Sequence, residues 1–105
     1  MTSSQLHIDL SAICDNYRTL HSLTRQTTKT AAAVKADGYG LGMEAVSGAL
    51  YQAGCATFFT AQIQEAISLR AAFRDKGYDG ADIAVLEGPH AKDLALYEAH
   101  KLTPV

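Results

Sequence analysis

Ala31-Ala32-Ala33-Val34-Lys35-Ala36-Asp37-Gly38-Tyr39-Gly40-Leu41-Gly42 begins as an unbroken apolar run and turns abruptly into a lysine and a string of alternate glycines. A run this short, apolar on both sides, reads as a strand buried in a parallel sheet. Three more follow it: Ala56-Thr57-Phe58-Phe59, Ile83-Ala84-Val85-Leu86, and a last one from Leu102 to Val105. Their starts lie 25, 27 and 19 residues apart, which suits successive right-handed strand-helix-strand crossovers. The segments between them carry apolar stripes at helical spacing. Val46, Ala49, Leu50 and Ala53 form one, closed by Gly54 as a C-cap. Ile63, Ala66, Ile67 and Phe73 form the next and end near Lys76-Gly77, and a weaker one from Ala91 to His100 carries Leu94 and Leu96. Ahead of the first run, Ile13, Tyr17 and Leu20 make a further stripe with Ser11 as the expected N-cap. The opening Gln5-Leu6-His7-Ile8-Asp9-Leu10 alternates polar with apolar residues and reads as a strand with one wet face.

The fold class that follows is α/β, a parallel sheet with helices outside. A closed (β/α)8 TIM barrel takes about 250 residues, so three and a half strand-helix units amount to part of one. The last run stops at Val105 in mid-strand, and the expectation is that residues 1–105 are the N-terminal portion of a longer protein. A small self-contained sheet is the alternative.

Composition narrows the function. The chain has 105 residues, 48% of them apolar and 19% charged, the make-up of a folded domain rather than a disordered one. No apolar run approaches the ~18 residues of a membrane span. A net charge of −2 leaves no basic surplus for nucleic acid or an anionic membrane surface. The amino terminus lacks the basic start and apolar core of a secretory signal, so the expected location is the cytoplasm. Cys14 and Cys55 lie 41 positions apart and make neither a redox pair nor a zinc half-site. His7, His21, His90 and His100 share no metal-ligand spacing.

Chemistry concentrates after the first run. Lys35 falls at the carboxyl end of a strand, the edge at which α/β proteins bind ligands. An amine held against an apolar strand end loses hydration, which favours its neutral, nucleophilic form and suits it to a Schiff base. A lone lysine there is ordinarily a solvated surface residue, but alternate glycines flanking Tyr39 also allow close backbone approach to a ligand. Two phosphate motifs fail on residue identity. A dinucleotide fingerprint starting at Gly38 would need its third glycine where Met43 stands, and no glycine directly precedes a lysine as a P-loop requires.

Ala33-Val34-Lys35-Ala36-Asp37-Gly38-Tyr39-Gly40-Leu41-Gly42 resembles the cofactor-lysine signature of bacterial alanine racemases. Ile8-Asp9-Leu10-Ser11-Ala12-Ile13-Cys14-Asp15-Asn16-Tyr17 is similar to that family's opening strand and first helix. Glu65-Ala66-Ile67-Ser68-Leu69-Arg70 and Ile83-Ala84-Val85-Leu86-Glu87-Gly88 resemble its third helix and following strand. The resemblance implies pyridoxal 5′-phosphate held covalently by Lys35, which would then act as the base on one face of the substrate α-carbon. It implies Tyr39 as a hydrogen-bond donor to the cofactor phosphate and Leu86 near the cofactor ring, where plain core packing is the alternative. It also implies a second-face tyrosine from the C-terminal β domain of a partner subunit, outside these 105 residues, and a homodimer of the full-length parent. The substrate it implies is alanine, and the product D-alanine for peptidoglycan. Gly38 departs from the family, many members of which carry alanine there, and this is expected to alter turn flexibility more than chemistry.

Two other functions stay open. A pyridoxal-binding carrier protein or amino-acid decarboxylase places a lysine at the same strand end but generally lacks the Tyr-Gly-x-Gly continuation of Tyr39 to Gly42. A non-catalytic fragment or assembly module is the third, since an unfinished sheet leaves a strand edge open to association.

Overall fold

The structure is a computed structural model describing residues 9–25, 29–35, 38 and 42–105. Its elements are α1 (Leu10–Ser22), β1 (Ala32–Ala33), α2 (Met43–Gln52), β2 (Thr57–Thr60), α3 (Ile63–Asp75) and β3 (Asp82–Val85). A 3-10 turn (Ala91–Asp93) then runs into α4 (Leu94–Ala99), followed by β4 (Leu102–Pro104). The four strands form one parallel sheet in the order β1-β2-β3-β4. Strands added one after another, with no reversal of order, belong to a barrel rather than to a doubly wound sheet, which reverses at a switch point. The four apolar runs are thus strands, each within a residue or so of its expected place.

Register decides which side chains meet the helices. Ala32, Phe58, Ile83 and Leu102 lie side by side in one row, and Ala33, Phe59, Ala84 and Thr103 in the next. The first row joins the core with Met43, Val46 and Leu50 of α2, Leu69 and Phe73 of α3, and Tyr97 of α4. The second row points to the opposite face, where Ala33 and Thr103 are exposed. The strands are apolar on both faces as expected, yet among the described residues helices cover only one. Small side chains dominate the other.

Helix ends show where local chemistry prevailed over the stripe pattern. Asp9, not Ser11, caps α1: its carboxylate accepts from the Ala12 N–H at 3.1 Å, which leaves Ser11 inside the first turn. Asp9 and Leu10 therefore start a helix instead of ending a strand, while positions 5–8 of that expected strand lie outside the described residues. Cys14 and Tyr17 are the buried residues of α1, with Cys14 Sγ 3.3 Å from the Ala49 carbonyl, and Leu20 is 61% exposed. Leu94 and Leu96, two apart on a helix, cannot share a face; both point outward and Tyr97 anchors α4.

α2 and α3 end in the same way. Gly54 (φ +109°) and Gly77 (φ +75°) take the left-handed residue of a Schellman motif. The next N–H groups close back, Cys55 to the Leu50 carbonyl at 2.9 Å and Tyr78 to that of Phe73 at 2.8 Å. α3 also reaches forward to the last unit. Its Arg70, 5% exposed, donates from Nε to the His100 carbonyl at 3.0 Å and from Nη2 to the Lys101 carbonyl at 2.8 Å. Burial pulls the Arg70 guanidinium below its ordinary value, with nearby Arg74 adding to the effect.

Candidate active site

The ladder of β1 ends at Val34, whose N–H donates to the Phe59 carbonyl at 2.9 Å. Lys35 is the next residue. The chain turns at once, because the Val34 carbonyl accepts from the Gly38 N–H at 2.9 Å, and Lys35, half-buried, sits on that turn. The neighbouring strands end at the same edge. Leu86 N–H donates to the Thr60 carbonyl at 2.8 Å, Glu87 N–H to that of Ala61 at 2.9 Å, and Val105 N–H to that of Val85 at 3.3 Å. Lys35, Ala61, Leu86 and Val105 therefore mark the carboxyl rim of the sheet.

Two helices start on this rim. The Glu65 carboxylate accepts from the N–H groups of Ala61 and Gln62 at 2.9 and 3.2 Å, which ties the end of β2 to the first turn of α3. A groove between the helix starts is lined by Gly42, Met43, Glu44 and Ala45 on α2 and by Gln64, Glu65 and Ser68 on α3. Leu86 is 43% exposed at the end of β3, so it does not take the core seat that was the alternative for it. His90 Nε2 lies 3.7 Å from Glu87 on the same rim.

Gly38 holds the turn that carries Lys35. It is buried at φ +68°, and a Cβ there would come within 3.3 Å of the Met43 backbone and 3.8 Å of Val46. The conformation is left-handed and the space behind it is tight, so in this chain the turn favours glycine, and the alanine that many relatives carry would need α2 to give by a few tenths of an ångström. Gly38→Ala is expected to lower stability by about 1–2 kcal/mol, read as a shift of the urea midpoint at unchanged slope. An unchanged midpoint would show that the turn relaxes freely. Tyr39 and Gly40, the other expected members of the segment, lie outside the described residues.

The residues of the rim fit an aldehyde cofactor in chemistry. A primary amine stands at the last rung of a strand, half-buried, on a turn closed tightly from behind by α2. Ala33, two positions earlier on β1, is small and exposed, and the apolar Leu86 is open at the same edge.

A second group of titratable side chains lies at the other end of the sheet. Tyr17, His21, Lys29, Thr30, Thr57 and Asp82 line a cleft where the strands begin, with His21 Nδ1 2.8 Å from Thr30 Oγ1. Behind it Cys55 is 1% exposed, its Sγ 3.4 Å from the Thr57 carbonyl. Burial raises the Cys55 thiol and also the Tyr17 phenol, which Cys55 raises further. Both acids keep their protons in the folded state at a pH where the unfolded chain has released them. The stability this contributes is complete below the unfolded thiol value of about 8.5 and declines as pH rises past it. The urea midpoint is expected to hold from pH 7 to 8 and then fall toward pH 10, with a shallower fall in Cys55→Ala; equal slopes in the two proteins would refute this.

A parallel sheet of consecutive strands, with helices on one side and a lysine following the first strand at the carboxyl rim, defines a segment of a (β/α)-barrel protein. The family described as alanine racemase, N-terminal domain, matches residues 8–105. The chain belongs to that family. It is 45% identical over 103 residues to a catabolic alanine racemase of Agrobacterium fabrum, covering 98% of this chain and 25% of that protein. It is 40% identical over 105 residues to an alanine racemase of Cereibacter sphaeroides, covering 100% of this chain and 29% of the relative. The crystal structure of alanine racemase from Bartonella henselae with covalently bound pyridoxal phosphate superposes with a TM-score of 0.82 at 42% identity, over 92% of this chain and 26% of that one. The chain thus spans between a quarter and three tenths of the relatives it matches. Among the described residues no helix is long and apolar enough to cross a membrane.

The capping carboxylate of Glu65 and the guanidinium of Arg70 were not singled out by role from sequence, although both stand in the segment that resembled the family's third helix. Gln62-x-x-Glu65 lacks the Ser or Thr that opens the usual capping pattern, so only the Glu at its fourth place hints at the role. Nothing in the sequence signals that Arg70 reaches two carbonyls thirty residues on.

Proposed function

We propose that this chain carries the cofactor-binding lysine of an alanine racemase, a pyridoxal phosphate-dependent isomerase of L- and D-alanine that supplies D-alanine for peptidoglycan in the cytoplasm. The observation that carries the reading is Lys35, an amine half-buried at the end of β1 in a chain of this family. The covalently bound pyridoxal phosphate of the Bartonella henselae relative supports the same cofactor here. When bound, the cofactor supplies an electron sink for the pair left as the alanine α-carbon loses its proton.

The remaining work falls to side chains. Lys35 Nζ would hold the cofactor and, as a free amine, would take a proton from one face of the α-carbon in one direction of the reaction and deliver one to that face in the reverse direction. By the family resemblance the Tyr39 hydroxyl would donate a hydrogen bond to the cofactor phosphate, and Leu86 would offer apolar surface to its ring. The opposite face needs its own proton carrier, which this reading assigns to a tyrosine outside the 105 residues, in the partner subunit of a homodimer.

The test is chemical. Incubation with pyridoxal phosphate followed by borohydride is expected to leave a stable pyridoxyl label on the peptide containing Lys35. Absence of label, or label confined to other lysines, would overturn the assignment.

A further inference from the structure

We infer that Phe59 is a positioning residue of the cofactor site, its side chain forming the apolar floor on which a flat ligand ring held by Lys35 rests. The inference rests on the proposed role of Lys35 and adds to it a residue on the next strand. Alternation along the strands places Phe59 there. Val34, Phe58, Ile83 and Val85 join the core on the helix side, so Lys35, Phe59, Ala61, Ala84 and Leu86 turn to the opposite face. Two rows end the sheet on that face. The last holds Lys35, Ala61, Leu86 and Val105, and the one before it holds Ala33, Phe59, Ala84 and Thr103. Phe59 is on β2, between the strands of Lys35 and Leu86 and one row beneath both. Strands lie about 5 Å apart and same-face rows about 7 Å, distances that an aromatic side chain spans.

Side-chain size argues for the same role. Ala33 and Ala84 flank Phe59 in its row, and Ala61 stands directly above it on β2. A methyl group at 61 is too short to separate a ligand from the ring below, so the bulk between Lys35 and Leu86 comes from Phe59. Ala84 is 5% exposed although it faces away from the helices, so neighbours on that face cover it, and Phe59 is the larger of the two beside it in the row. Phe59 takes no part in the core that Phe58 and Phe73 build on the helix side, and its loss is expected to spare the fold. An aromatic ligand gains from resting on another ring, whereas a small aldehyde without a ring gains nothing there.

That difference supplies the test. Pyridoxal phosphate with borohydride and formaldehyde with cyanoborohydride both modify amines, the first through an aldehyde that carries a ring and the second through one that does not, and peptide mass analysis reads each at Lys35. Phe59→Ala is expected to keep the far-UV circular dichroism, to need roughly five- to tenfold more pyridoxal phosphate for half-maximal label at Lys35, and to leave methylation of Lys35 unchanged. Phe59→Leu, which keeps apolar bulk without the ring, is expected to fall between parent and Phe59→Ala, and carries the comparison alone should Phe59→Ala unfold. Equal pyridoxal phosphate dependence in parent and variants overturns the inference and leaves the role of Lys35 standing. A parallel loss with both aldehydes also overturns it, because Phe59 then only props the chain around Lys35. Absence of pyridoxyl label at Lys35 in the parent overturns both readings.

Discussion

Lys35→Ala is expected to abolish the borohydride-stable pyridoxyl label and, in any preparation in which the parent chain racemises alanine, to lower the rate of D-alanine formation by roughly 10⁴-fold, the upper range for a positioned proton carrier. Both losses follow from one atom, because Nζ is at once the point of attachment and the proton carrier of the proposed mechanism. The fold is expected to survive. Lys35 is half-buried on a turn whose hydrogen bond runs between Val34 and Gly38 backbone atoms, and the core is built without it. Lys35→Arg separates charge from chemistry: the guanidinium keeps the positive charge but cannot act as a neutral amine nucleophile, so the label is expected to vanish there too. Chiral chromatography of product and mass analysis of the labelled peptide provide the two readings. Label persisting in Lys35→Ala would move the attachment to Lys29, Lys76, Lys92 or Lys101 and sink the mechanism.

Phe73→Ala is expected to cost about 3–5 kcal/mol, the range for truncating a buried aromatic. Phe73 is 1% exposed and packs edge-on to Phe58 of β2 at 5.2 Å between ring centroids. Tyr51 of α2 and Tyr78 after α3 lie 5.6 Å from the same ring. One side chain therefore joins sheet, helix and the turn that ends α3. Native domains are stable by about 5–15 kcal/mol, so the loss takes a large share of the total and the thermal midpoint is expected to fall sharply. Thermal unfolding followed by far-UV circular dichroism reads the effect; a loss below about 1 kcal/mol would mean that neighbouring rings refill the space.

The strands were legible because a short unbroken apolar run set between two helical stripes has to cross a buried sheet, and Gly54 was legible because a glycine after such a stripe satisfies the left-handed end of a helix. The position of Lys35 followed from the same pattern, since a residue that ends a parallel strand lies at the carboxyl edge of the sheet. The features that local pattern did not reach depended on distance in the chain. The choice of Asp9 over Ser11 turned on where the first helical turn settled, and the outward turn of Leu20 on Cys14 meeting α2. Arg70 shows the limit most clearly: a charged residue in a helix pattern reads as solvent-facing until its carbonyl partners arrive from thirty positions away.

The grip of Arg70 on residues 100 and 101 has a mechanical consequence. β4 is fastened to the body of the molecule by a cation rooted two elements upstream, as well as by its ladder with β3. Sliding β4 by one residue would pull both peptide oxygens away from that cation, and leaving it stranded in its niche is costly. The last strand is thus held against slippage along its neighbour.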